Sequence, residues 1–408
     1  MDCNYKKEMM IIKKIFRGIF KVIKWTFFII VGLLIVSTLY NLTLPKKSKT
    51  VEYLSAKEKA FIAEEMNLQQ KIGNDVWPHW GDTLIPVMVY NEKYAFLIGY
   101  PDPPAGWFKI PNFELLGTEW EVVNSDDFEG ARYYRQSLPN PAITPENFTV
   151  KVGDRWVSTI ETKEYAEIAF YNGFREELPP VLNAVFPYKI FWNILMRSGD
   201  IYIGGMAHEC FHSFQGTKVP DLLVEAERVA HLEKDYPWHE FENAEGWKKE
   251  IDLLTKAYYS EDKAVSLDFV SQFLKSRKER RQKANLSVEI IQYEQKREWL
   301  EGLAKYAELT IGLKAWQDEN YRNVKAIDPV REFKNYKTYA EFYKQQIDEV
   351  KRAAVRPSEN RFYYSGMLQA VMLDRLLPEW KKEAFSKEVY LENLLEMSVN
   401  LYSNYKLE

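Results

Sequence analysis

"GGMAHECFHSFQG", residues 204–216, carries two of the chain's five histidines, His208 and His212, four positions apart with Glu209 directly after the first. On a helix, residues four apart project about 40° from each other, so both imidazoles can grip one ion from one face. Glu209 is displaced by one position, which suits it to take a proton from water beside that ion rather than to ligate. Met206, Ala207, Cys210, Phe211, Ser213 and Phe214 are uncharged, as a buried helix requires. Asp200 is the expected N-cap and Gly216 the expected C-cap. Cys210 falls on the opposite side of the helix from the histidines and is expected in the core. The bland alternative is a pair of structural histidines on an amphipathic helix.

A catalytic zinc site takes three protein ligands plus water, so a third ligand is needed. Gln215 and Lys218 stand where the extended H-E-x-x-H-x-x-G-x-x-H motif would have glycine and histidine, which excludes that class. Glu225, Glu227, His231, Glu233 and His239 are candidates close in sequence. A more distant set lies in "YEQKREWLEGLAKYAEL", residues 293–309, where Glu294, Glu298, Glu301 and Glu308 recur at helical spacing and are expected on one face. A solvated face is the alternative, with Glu301 and Lys305 as an exposed pair.

"AHECFHSFQ" followed by "WLEGLAKYAE" resembles the gluzincin metallopeptidases, the group that contains thermolysin and the membrane alanyl aminopeptidases. The resemblance covers two short helices, about a tenth of the chain. It implies that zinc is held by His208, His212 and Glu301, with Glu209 as general base. It also implies a zincin-like fold and a peptide or protein substrate. His212 and Glu301 are separated by 88 residues, so helices within 221–283 must leave the site and return. The aminopeptidase motif G-x-M-E-N is absent, and an exopeptidase assignment does not carry over. Gluzincins also use a Tyr or His to polarise the substrate carbonyl. "NRFYYSGMLQAVMLDRLLP" (360–378) offers Tyr363 and Tyr364 at a helix start, and Tyr363 is the choice for that role. Simple aromatic packing is the alternative.

The rest of the chain sets the compartment. Residues 1–50 hold ten Lys/Arg against Asp2 and Glu8, leaving 45 basic and 57 acidic residues in the remainder. A body that acidic has no footprint for nucleic acid. "WTFFIIVGLLIVSTLYNLTL" (25–44) is uncharged, and its 20 residues are just enough to cross a hydrocarbon core about 30 Å thick. Seven basic residues precede it and three follow, which predicts residues 1–24 in the cytoplasm, a single-pass anchor in the cell membrane at 25–44, and an extracytoplasmic body. A cleaved signal peptide is the rival reading, weakened by the length of the apolar run. Cys3 and Cys210 are the only cysteines, and no disulfide framework is expected.

After the anchor, Ser55 and Glu58 form a capping-box spacing ahead of a helix expected to stop at Gly73. "LIPVMVY" (84–90) and "YAFLIGY" (94–100), joined by Asn91-Glu92-Lys93, predict a hairpin, and "RWVSTI" (155–160) another strand. Turns are expected at 101–107 and 138–145. Residues 45–160 therefore read as strand-rich and 161–408 as a helical, zincin-like catalytic domain, an α+β fold that is mostly helical. Helices are expected near 200–215, 221–234, 247–259, 261–283, 286–316, 338–355, 360–377 and 386–403. The run "KSRKERRQK" (275–283) is expected to be a solvated face. The function expected is a membrane-anchored zinc metallopeptidase. The alternatives are a zinc hydrolase of non-peptide amides, or a membrane-tethered binding protein on an inactive zincin-like fold.

Overall fold

A computed structural model describes residues 2–138, 143–196, 198–353 and 356–405; part of the turn expected at 138–145 lies outside them. The helices are α1 (Asp2–Asn41), α2 (Ala56–Val76), α3 (Lys163–Glu177), α4 (Pro180–Val185), α5 (Tyr188–Leu195), α6 (Gly199–Lys218), α7 (Pro220–Arg228), α8 (Phe241–Tyr259), α9 (Lys263–Lys283), α10 (Val288–Arg297), α11 (Leu303–Gln317), α12 (Tyr339–Ala353), α13 (Asn360–Leu376) and α14 (Leu391–Tyr405). The strands are β1 (Val87–Tyr90), β2 (Tyr94–Ile98), β3 (Trp107–Lys109), β4 (Glu114–Leu116), β5 (Glu121–Val122), β6 (Tyr134–Ser137), β7 (Phe148–Val152) and β8 (Arg155–Glu161). The protein is mostly helical, with a strand-rich part and one apolar N-terminal helix.

Two compact units emerge. One comprises Met1–Lys49 with Glu164–Arg197; the other comprises Thr50–Lys163 with Ser198–Glu408. The strand-rich stretch and most of the helical stretch thus belong to one body. The segment carrying α3, α4 and α5 clusters instead with the N-terminal helix, where Leu44 packs with Tyr171, Tyr188 and Trp192.

In the larger unit the eight strands run in the order β4-β3-β7-β8-β1-β2-β6-β5. Neighbours are antiparallel except β1 and β8, which run parallel with Val89 opposite Ile160. The hairpin turn forms where expected: Asn91 Oδ1 accepts from the Lys93 and Tyr94 amides, both at 2.9 Å, and so substitutes for a backbone turn. α6 lies across β7 and β8, with the Thr149 and Ser213 hydroxyls 2.6 Å apart. Its other sides meet α2 and, through Phe211, the Trp77 and Trp80 rings. A helix covered on all sides needs the uncharged flanks that residues 204–216 have.

Several local expectations change. Asp200 does not cap α6; its carboxylate receives the Lys334 and Tyr336 amides at 3.0 and 2.8 Å, tying the 334–336 loop to the start of the helix. Gly216 does not end α6 but lies inside it, where an added Cβ would fall 2.6 Å from the Trp156 ring. α2 keeps its Ser55 cap and runs past Gly73 to Val76. The basic run at 275–283 is not simply a solvated face. Arg277 and Arg280 are buried: Glu250 receives the Nε–H of both, Glu298 receives the terminal nitrogens of Arg277, and Glu294 those of Arg280.

Candidate metal centre

α6 and the segment around Glu301 meet at the quoted stretch. His208 and His212 point Nε2 toward one another at 3.2 Å, and Glu301 Oε2 lies 3.4 and 3.3 Å from them. Four ligands placed tetrahedrally at about 2.0–2.1 Å from an ion are separated by about 3.3–3.4 Å along each edge. The three side chains therefore already describe one face of such a tetrahedron. All three are buried, and they form a group able to hold a metal ion. The 88-residue spacer does leave and return: α8 and α9 pair as a hairpin, and α10 leads back to Glu301.

The atoms facing away from this triangle are also engaged. His208 Nδ1 is 3.2 Å from Glu308 Oε2, and Glu308 in turn receives Lys305 at 2.6 Å. His212 Nδ1 is 3.0 Å from Gln215 Oε1, whose amide nitrogen donates to the Trp299 and Leu300 carbonyls. Each imidazole can thus donate from Nδ1 and keep its Nε2 lone pair turned inward, the tautomer a metal ligand needs. Glu301 Oε1 receives Arg297 at 2.8 Å, which leaves Oε2 for the site. Burial opposes charge on Glu301, but Arg297 and the histidines outweigh it and hold the carboxyl well below the usual carboxylate range. Burial likewise opposes charge on His208, and Glu301 and Glu308 overcome it, lifting the imidazole to about 10, so a bound cation would have to displace the Nε2 proton before that lone pair could ligate.

Glu209 stands apart from these pairs. Its Oε2 is buried without a hydrogen-bond partner among the described residues. Burial pushes its carboxyl up to about 8; His208 opposes the shift, and Glu301, Glu308 and Glu227 add to it. At neutral pH that value holds Glu209 mainly as the neutral acid; a cation held by the triangle would favour the carboxylate, the form able to accept a proton. The Tyr363 ring stacks on His208, with centroids 5.9 Å apart and planes 9° apart. Burial and the neighbouring Glu301 raise its phenol well above its ordinary value, so it stays a neutral hydrogen-bond donor. Tyr364 faces elsewhere and donates to Gln346.

The other ligand candidates take different roles. Glu225 pairs with Lys296, Glu227 pairs with Arg297, and His231 and His239 are exposed. The expected single face of four carboxylates is split. Between α10 and α11 the helix widens into a π turn over Glu298–Gly302, and that extra residue rotates everything beyond it by about 100°. Glu294 and Glu298 therefore turn to the buried arginines, while Glu301 and Glu308 turn to the histidines. Gln215 and Arg297 are the supporting residues that sequence reasoning missed. Gln215 sits three positions after His212, and Arg297 four before Glu301, so helical spacing was the available signal. The chain matches no family model, no curated protein and no solved structure.

Proposed function

We propose that this protein is a membrane-anchored zinc metallopeptidase of gluzincin type with a zincin-like body, cutting peptide bonds outside the cytoplasm. The observation that carries the reading is the triangle of His208 Nε2, His212 Nε2 and Glu301 Oε2, with edges of 3.2–3.4 Å, next in sequence to a buried Glu209 oxygen that has no partner among the described residues. Two imidazoles and one carboxylate suit zinc by donor type, and zinc held this way supplies Lewis acidity that activates water near neutral pH. The chain's own residues would do the rest. Glu209 Oε2 takes the proton of the attacking water and passes it to the leaving nitrogen. The Tyr363 hydroxyl donates to the carbonyl oxygen as negative charge develops there. Arg297 holds Glu301, while Glu308 and Gln215 hold the histidine rings.

The test is zinc content and turnover of a mixed peptide library, measured on the same samples of the native protein, Glu209→Gln and Glu301→Ala. Glu209→Gln is expected to keep its zinc and lose about 10²–10⁴-fold in turnover. Glu301→Ala is expected to lose zinc on dialysis against a mild chelator, far more than Glu225→Ala. Full activity in Glu209→Gln would sink the mechanism. A zinc-loaded native protein that cleaves no peptide would favour a non-peptide amide substrate or a binding role.

A further inference from the structure

The segment from Leu178 to Met196 has no part in the candidate centre and contains a single charged residue, Lys189, which pairs with Glu167. α5 is two-faced. Tyr188 and Trp192 are buried against Tyr171 and Leu44. Ile190, Phe191, Ile194 and Leu195 are exposed, as are Val181 and Leu182 on α4, with Val181 at 78% and Ile194 at 62%. Lone exposed apolar residues are ordinary, but six along one short segment call for a covering phase.

What covers them is indicated by α1. Ser37 Oγ donates to the Val185 carbonyl at 2.7 Å, and Asn41 Nδ2 donates to the Ala184 and Phe186 carbonyls at 2.9 and 2.8 Å. The junction between α4 and α5 is thus tied to the last turns of the apolar helix. Lys14–Asn41 of that helix is long and apolar enough to cross a membrane. From Ser37 to Asn41, where α1 ends, the helical rise spans about 6 Å. Amphipathic helices in the membrane interface sink to a similar depth, about 5–10 Å. The hydrogen bonds fit that setting. Carbonyls where a helix is interrupted find no water within lipid and must be satisfied by the protein, here by Ser37 and Asn41.

We propose that α4 and α5 form an interfacial membrane element, with Val181, Leu182, Ile190, Phe191, Ile194 and Leu195 inserted among the outer-leaflet headgroups and upper acyl chains beside the α1 span. The inference rests on α1 remaining as a membrane anchor. The full-length chain with Cys3→Ser is reconstituted in phosphatidylcholine vesicles, carrying an environment-sensitive fluorophore at Ile194→Cys or Leu33→Cys. Nitroxide lipids labelled near the headgroup or near the chain terminus act as quenchers. The Ile194 probe is expected to show blue-shifted emission, quenched several-fold more by the shallow nitroxide than by the deep one. The Leu33 probe is expected to show quenching by the deep nitroxide. If Leu33 is quenched and Ile194 emits as in water, the anchor stands and the interfacial element is refuted. Blue-shifted Ile194 emission that neither nitroxide quenches means that protein, such as a second copy, covers the face, and this also overturns the proposal. An unquenched Leu33 removes the anchor itself and the inference with it.

Discussion

Glu65 lies at the back of the site helix, on α2, with its Oε1 buried and unpartnered among the described residues. Burial pushes its carboxyl up to about 7, and the Cys210 thiol offers only weak relief. A carboxyl whose folded value is raised makes its stabilising contribution below its unfolded value, about 4.5. That contribution is lost as pH rises through about 7. The loss by pH 8 is on the order of 3 kcal/mol. Glu65→Gln should therefore raise the thermal midpoint at pH 8 and change it little at pH 4.5; an equal effect at both pH values would contradict a buried titrating carboxyl. Cys210 itself was expected in the core from its position on the helix and is buried there. Glu65 was not anticipated, because capping-box logic fixes where α2 starts but not what its far face meets.

Among the elements, the π turn at Glu298–Gly302 governs the site's geometry. A Cβ on Gly302 would sit 2.4 Å from the Gly366 Cα, and one on Gly366 would sit 2.4 Å from the Glu298 carbonyl oxygen. Two glycines therefore let α13 touch the backbone of the π turn, which carries Tyr363 toward His208. Gly302, directly after Glu301, makes its close approach to α13 and not to α6. Gly366→Ala should destabilise by about 1–3 kcal/mol or more, since backbone must move to relieve the overlap. Gly173→Ala in α3, where a Cβ meets nothing within 4 Å, should be neutral or stabilise by up to about 1 kcal/mol. Equal thermal midpoints for the two variants would show that the glycine contact is not tight. The π turn could not be read from spacing, because carboxylates at 294, 298, 301 and 308 fit an uninterrupted helix equally well.

At the scale of the whole molecule, the apolar helix and the basic flanks set the expected topology. Reporter fusions at residue 10 and residue 60 should mark opposite sides of the membrane, with residue 10 cytoplasmic. A cytoplasmic signal at residue 60 would remove the extracytoplasmic setting of the proposed peptidase. By itself the sequence determined the mostly helical α+β class, the apolar N-terminal helix, the first hairpin and the histidine pair. Each of these rests on periodicity or spacing within about twenty residues, where local geometry dictates which side chains share a face. The resemblance already pointed to Glu301, and the tertiary structure decided that it, and not Glu225 or Glu298, joins His208 and His212. The tertiary structure alone put Arg277 and Arg280 inside, and it alone grouped α3, α4 and α5 with the N-terminal helix. Those outcomes depend on a π turn, a pair of touching glycines and ion pairs between residues distant in the chain, none of which leaves a periodic trace.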